Sequence, residues 1–251
     1  PYDPEYARAS RKTKLVLSVD KCFRNALARQ VDRIVTFSQY DTIFGRPTIR
    51  ISNGIDFAHI PLKTNVNDTS NTVHLLGVAD IHFWHGFDRV VAGLADYYRR
   101  PHEKEVIFHI VGGGSRFTVP ELREQVREQG MEERVVLHGP LWGEALDRAF
   151  EEADLGIASL GRHRNGITHI KTLKNREYAA RGIPFVYSEN DSDFDAMPYV
   201  LKAPADESPI DIDALLHFLD RDPAHIRASI EDTLSWDVQM RKVLDQIERL
   251  E

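Results

Sequence analysis

One cysteine in 251 residues leaves Cys22 without a partner for an internal disulfide. That excludes a disulfide-stapled scaffold and makes a reducing compartment, the cytoplasm, the expectation. No stretch approaches ~18 uninterrupted apolar residues, so no membrane span is written here. No signal peptide is read in these residues. Positive charge is in deficit, with a net charge of −7. The deficit is uneven. Residues 1–50 hold ten Lys/Arg and five Asp/Glu, giving +5, which leaves −12 for the remainder. An acidic bulk argues against a nucleic-acid binder. The basic front could face acidic lipid, a peripheral membrane contact, or could simply be a solvated helix face. Asn67-Asp68-Thr69 matches a glycosylation acceptor and is read as chance in this context.

The length suffices for one large domain or one and a half. Residues 1–14 read as irregular and basic. Val19, Cys22, Phe23 and Ala26 fall at helical spacing within 15–30. RIVTFS (33–38) and TIRIS (48–52) read as strands, with a short helix expected over 39–44, ended by Gly45. KTNVNDTSNT (63–72) is polar and aperiodic, a linker pattern. Strands and helices then alternate. Strands are expected at 73–78, 106–111, 134–137, 155–159, 185–187 and 199–202. Helices are expected at 86–99, at 118–130 with a Thr118/Glu121 capping box, and at 144–153. Asp211, Asp222-Pro223 and Ser235 each announce a helix start near the end. Such alternation builds a parallel sheet covered on both faces, with ligands beyond the carboxyl ends of the strands. Gly77 to Asp80, Gly112 to Ser115, His138 to Pro140, Ser159 to Gly161 and Ser188 would share that rim.

The densest stretch is KTLKNREYAARGIPFVYS, residues 171–188. Thr172 is a plausible N-cap, Gly182 a left-handed stop, and Pro184 prevents continuation. Lys174, Arg176 and Glu177 crowd the helix start, where a cation beside free N–H groups makes an anion site. Taken alone, the pattern is better read as an exposed charged face. Gly112-Gly113-Gly114-Ser115 offers close backbone approach to a phosphate or sugar. His82 and His85 stand at i, i+3, but no Cys or third His completes a metal set, and no metal or cofactor is expected.

Glu177 to Phe185 resembles the "E-A-M-A-x-G-x-P-V" stretch of retaining glycosyltransferases of family 4, which have the two-domain GT-B fold. Asn53-Gly54-Ile55-Asp56 resembles that family's "N-G-V/I-D", and LLGVADIHFWHGFDRV (75–90) its "G-R-x-x-x-x-K-G-x-D-x-L". FWHGFDR and LKNREYAARGIPF look closest to enzymes of bacterial surface-polysaccharide assembly. The resemblance implies an α/β fold: a Rossmann-like parallel sheet with helices on both faces, plus part of a second Rossmann-like domain. Residues 1–56 would be a remnant of the acceptor-side domain and 57–233 the nucleotide-sugar-binding domain. Residues 234–251 would form a helix crossing back. It implies transfer of a sugar from a nucleotide sugar to a glycan or lipid-linked glycan. The same resemblance makes His169 and Lys174 the catalytic candidates. Donor contacts fall to Gly113, Gly114, His138, Gly139, Lys171, Thr172, Leu173, Glu177 and His85, with Glu177 on the ribose. The sequence departs from the family at three places. Asp80 and His85 stand where an arginine and a lysine flank the pyrophosphate, and His169 replaces the first glutamate. Lys171, Lys174, Arg162 and Arg164 lie near enough in sequence to substitute. A non-catalytic nucleotide-sugar binder and a sugar-nucleotide epimerase are the rival readings.

Overall fold

The structure, a computed structural model, describes residues 10–64, 68–69, 71–219 and 222–249. The expected irregular start over 1–14 is wrong from Arg11 onward, where a helix begins. Residues 1–9 and four residues of the 63–72 linker, Asn67 of the acceptor triplet among them, lie outside the described residues.

The first helix, α1 (Arg11–Ala28), starts where Ser10 accepts a bond from the amide of Thr13. Its apolar residues Leu15, Val19, Phe23 and Leu27 remain 67, 51, 61 and 68% exposed, while the helix is held by another face, with Ala28 buried and Arg24 over the Phe44 ring. A small sheet follows, in the order β1 (Ile34–Thr36), β3 (Arg46–Arg50), β2 (Thr42–Ile43). Here the expected helix over 39–44 is wrong. Thr42 and Ile43 are β-branched and pair antiparallel with Arg46 and Pro47. Phe44 and Gly45 turn the chain with φ of 51° and 75°. Two positive φ values in succession suit a tight hairpin and not a helix.

The main sheet holds six strands, all parallel, in the order β6-β5-β4-β7-β8-β9. These are β4 (Thr72–Val78), β5 (Glu105–Val111), β6 (Val135–Gly139), β7 (Leu155–Ile157), β8 (Phe185–Tyr187) and β9 (Val200–Lys202). The chain starts in the middle, at β4, winds outward one way through β6, then returns to β7 and winds the other way. Between β4 and β7 the winding reverses, and loops leaving those two strands must part, opening a crevice at their carboxyl ends.

Two apolar layers hold the sheet. One face packs on α2 (Phe87–Tyr98), α3 (Thr118–Glu128) and α6 (Ile212–Leu216), through Val90, Leu94, Leu122, Val126 and Leu215. The other packs on α4 (Glu144–Glu152), α5 (Leu173–Arg181) and α7 (Pro223–Leu234), through Phe150, Tyr178, Ala179, Ile226 and Ile230. Asp211 and Asp222 cap α6 and α7 as their sequence positions suggest. The Thr118/Glu121 capping box does not form. Ser115 Oγ instead accepts from the amides of Phe117 and Thr118, and Thr118 turns back to accept from the Ser115 amide. An earlier hydroxyl thus takes the orphan donors of the first turn.

The last helix, α8 (Trp236–Glu248), returns to the N-terminal segment. Gln239, fully buried, accepts from the Ser52 amide at 2.7 Å, and the Ile55 amide donates to the Leu234 carbonyl at 2.8 Å. Ser235 caps α8 by accepting from the Val238 amide. Ser235→Ala should therefore cost about 1 kcal/mol, lowering the melting temperature by about 2–4 °C. A thermal melt with no shift would show that Ser235 is not capping.

Candidate functional site

The site lies at the reversal point, where four loops meet. After β4 the chain runs through Ala79 and Asp80 to a single turn at Phe83–His85. After β5, Gly112 packs under that loop: a Cβ there would sit 1.8 Å from the Ala79 carbonyl oxygen, at a φ of 131°. Only glycine lets the two strand ends come this close. The amide of Ile81 donates to the Gly113 carbonyl, fixing the loops side by side. After β7, Leu160 and Gly161 donate their amides to the carbonyls of His85 and Trp84. After β8, the Asn190 amide donates to Thr168 and its carbonyl accepts from Ile170. The segment bearing His169 therefore lies along the residues that leave β8.

α5 aims its start into this crevice. Thr172, in extended conformation, accepts from the Asn175 amide, and Gly182 ends the helix at a φ of 76°. The N-cap and stop expected from the sequence are both in place. Lys174 is anchored by a half-buried stem, while its Nζ is enclosed and has no hydrogen-bond partner. The ammonium stands 5.8 Å from the centre of the Phe87 ring. Arg162 lies over Trp84, 5.6 Å from that ring's centre, and its Nε is likewise enclosed and unbonded. Glu189 is 3% exposed, and neither carboxylate oxygen has a partner. Ser159 Oγ, at the end of β7, is a further enclosed atom without one.

These groups sense one another. Burial pulls Lys174 down to about 7, with Glu189 opposing and Arg162 assisting. Burial pushes Glu189 up to about 7, against the pull of Lys174 and Arg162. His85 is held down to about 2 by burial first, then by Lys174 and Arg162. It is therefore neutral and cannot serve as a cation; Arg162 carries positive charge beside it, and Lys174, held at about 7, is charged in part at neutral pH.

The other cations that sequence placed nearby are already engaged. Arg164 donates to both oxygens of Asp88, at 2.8 and 2.6 Å, and also to Glu207. Lys171 donates to Asp193 at 2.9 Å. Neither is free to take an anion without breaking an ion pair. Glu177 lies one turn into α5, and its Oε1 accepts from Arg181, which also pairs with Asp147. Leu173 is 60% exposed at the mouth, and His169 is exposed on its loop. Gly113 and Gly114 follow β5, with Gly113 beside Pro140 of the loop after β6.

His138 and Gly139 end β6, and His138 belongs to a chain of imidazoles. His74 Nδ1 meets His109 Nε2, and His109 Nδ1 meets His138 Nε2, each at 2.9 Å. Burial and its two neighbours hold His109 down to about 4. His85 and His109 thus remain neutral in the folded state below their ordinary value of 6.5. The unfolded chain binds more protons there, so this stability is full above pH 6.5 and is lost as pH falls. Glu189 acts oppositely between 4.5 and 7, but it is one group against two. The melting temperature should fall from pH 6.5 toward pH 4.5, and His109→Asn should flatten that slope. A flat wild-type profile would contradict the burial of these imidazoles.

His82 pairs with Asp80 at 3.1 Å, and among the described residues no group of three His, Cys, Asp or Glu is arranged to hold a metal ion. Sequence reasoning missed Glu189 and Ser159 Oγ. Their only signal was position, directly beyond strands that are buried throughout.

Solved structures that resemble this chain have the GT-B glycosyltransferase fold. The HepE protein of Anabaena, solved in complex with UDP and glucose, is 17% identical over 90% of this chain and 66% of its own, with a TM-score of 0.67. Sucrose-phosphate synthase from Thermosynechococcus elongatus is 19% identical over 99% of this chain and 66% of its own, with a TM-score of 0.64. The lipopolysaccharide outer core galactosyltransferase WaaB, in its apo form, is 17% identical over 89% and 63%, at 0.58. The chain spans about two thirds of the length of these neighbours. At such identities the likeness is one of fold. No family model and no curated protein matches the sequence.

Proposed function

We propose that this chain is the donor-binding part of a retaining glycosyltransferase of family 4. It takes a nucleotide sugar and passes the sugar to a growing glycan or lipid-linked glycan, in bacterial surface-polysaccharide assembly on the cytoplasmic side of the membrane. Residues 57–233 bind the donor, 1–56 belong to the acceptor side, and the helix from 234 crosses back between them. The observation that carries this reading is the enclosed, unbonded Lys174 Nζ beside the enclosed, unbonded Nε of the half-buried Arg162, at the reversal point of the sheet. Buried cations without partners are costly, and a diphosphate in the crevice would supply the missing acceptors.

Catalysis in this reading consists of stabilising charge on the leaving diphosphate. Lys174, Arg162 and the free amides at the start of α5 face the developing anion. Thr172 and Leu173 form that helix start, and Gly113 and Gly114 let the opposite wall come close. Gly139 and His138 border the nucleobase, and Glu177 takes the ribose hydroxyls. Lys171 and His169 stand at the mouth, toward the acceptor. His85 packs against the cations as a neutral group. That neutrality favours a second reading, a nucleotide-sugar binder without activity. Donor-dependent glycan elongation by the full-length protein separates the two.

The test of the shared premise is a melting and calorimetric survey of nucleoside diphosphates, their monophosphates and nucleotide sugars. A diphosphate should bind at about 0.1–1 mM and the monophosphate more weakly, because affinity follows the second phosphate. No saturable binding at millimolar concentration would sink the reading. Glu177→Gln should weaken diphosphate binding about tenfold and erase the preference for ribo- over dideoxyribonucleotides. Its melting temperature should hardly move, since Glu177 and Arg181 form a partly exposed pair. Normal binding with a much lower melt would make Glu177 a structural residue.

A further inference from the structure

Glu189 has no place in any motif of the sequence, yet it is the least satisfied charged group in the described chain. Both of its oxygens are enclosed and neither accepts a hydrogen bond. Its own amide is turned toward the carboxylate without forming a regular hydrogen bond, and the neighbouring backbone donors are committed elsewhere. The Ser188 amide goes to Ser159, the Asn190 amide to Thr168, and the Asp191 amide to Asp195. The Ile170 amide, on the loop laid alongside, goes to the Asn190 carbonyl. Lys202 reaches the Glu189 main-chain carbonyl and Asp195, not the Glu189 carboxylate. The cations electrostatically nearest to the carboxylate, Lys174 and Arg162, are themselves short of acceptors and form no ion pair with it.

A carboxylate in this state lacks a donor, and its neighbours lack an acceptor. Direct pairing would satisfy both, but the groups stand too far apart for it. A ligand that fills the gap must therefore present a hydrogen-bond donor on one side and an anionic oxygen on the other. A sugar bonded to a phosphate has this combination, with hydroxyls adjoining the phosphate-bearing carbon. Ser159 Oγ, at the adjacent strand end, is a further unmet group that a second hydroxyl can meet.

We infer that Glu189 holds a hydroxyl of the transferred sugar while Lys174 and Arg162 take the adjoining phosphate oxygen. This rests on the nucleotide-sugar reading above and adds the residue that recognises the sugar itself. The position has a second consequence. His169 stands on the loop paired to Asn190, so Glu189 supplies a carboxylate from β8 next to a segment that has none of its own.

The test compares wild-type protein and Glu189→Gln by calorimetry, with uridine diphosphate, UDP-glucose and glucose 1-phosphate as probes. Wild type is expected to bind UDP-glucose at least tenfold more tightly than uridine diphosphate. Glu189→Gln should remove that tenfold advantage and weaken glucose 1-phosphate equally, while uridine diphosphate binds within twofold of wild type. Its melting temperature should equal or exceed that of wild type, because an unpartnered buried carboxylate has gone. If Glu189→Gln weakens uridine diphosphate and UDP-glucose alike, or neither, the sugar assignment is wrong while the nucleotide reading stands. If wild type binds none of the three, the sugar assignment falls, and the nucleotide reading falls with it when the survey of the other nucleoside diphosphates is also blank. If Glu189→Gln does not fold, or Glu189→Asp restores folding without the sugar preference, Glu189 is a structural group and the inference fails.

Discussion

Lys174→Met should abolish most nucleoside diphosphate binding, weakening it about a hundredfold, without lowering the melting temperature of the free protein. The two halves of this result have one cause. Lys174 Nζ is enclosed and makes no hydrogen bond, so the unliganded fold gains nothing from it beyond a ring contact with Phe87. Methionine fills the same slot with an apolar chain and removes a desolvated ammonium. In the complex the same ammonium would gain a charge-assisted bond to a phosphate oxygen, worth about 1.5–3 kcal/mol. Losing it raises the dissociation constant about tenfold to a hundredfold. The upper end is expected because Arg162 alone cannot bracket the phosphate. The double variant Lys174→Met/Glu189→Gln should melt higher than wild type, since it removes two buried ionisable groups that have no hydrogen-bond partner. Unchanged binding by Lys174→Met, or a melt several degrees lower, would show that the lysine is part of the scaffold.

Arg176→Met should have the opposite profile, a large loss of stability. Arg176 sits two residues along the same helix, and its side chain is wholly buried. It donates to Asp191 at 2.9 Å, to the Thr172 carbonyl at 2.8 Å, to the Asn53 carbonyl at 2.9 Å and to Ser52 Oγ at 2.8 Å. It also bonds Asp193. Removing it strands Asp191, whose side chain is fully buried, with two neutral donors, the Asn175 side-chain amide and the Asp193 backbone amide, and no cation. Breaking a buried pair this way costs about 3–5 kcal/mol, or on the order of 10 °C in melting temperature. It also unties Ser52 and Asn53 from α5, loosening the N-terminal segment where α8 meets it. Thermal melting monitored by circular dichroism checks this, and a shift of about 2 °C or less would contradict the network.

These two neighbours show what the sequence could and could not convey. Lys174, Arg176 and Glu177 were visible as one charged cluster on a capped helix. The cap at Thr172 and the stop at Gly182 rest on local rules, and both appear as expected. So do the alternation of strands and helices, the parallel sheet and the starts at Asp211, Asp222 and Ser235. The division of labour within the cluster was not legible. Whether a cation is paired depends on partners far away in the chain, such as Asp191 for Arg176, and Asp88 and Glu207 for Arg164. Glu189 was invisible for the same reason: its isolation is set by where its neighbours' hydrogen bonds go. The hairpin at 42–47 was misread because Phe44 occupies a turn position where Asn or Gly is the usual cue. At Thr118 a capping-box pattern lost to Ser115, a competitor three residues earlier.

The most direct measurement is a crystal structure of the chain grown with the nucleoside diphosphate that gives the largest melting shift. The expected result is a terminal phosphate within hydrogen-bond distance of both Lys174 Nζ and Arg162 Nε, in front of the first amides of α5. A diphosphate bound away from the reversal point of the sheet, with those two cations still unbonded, would contradict it.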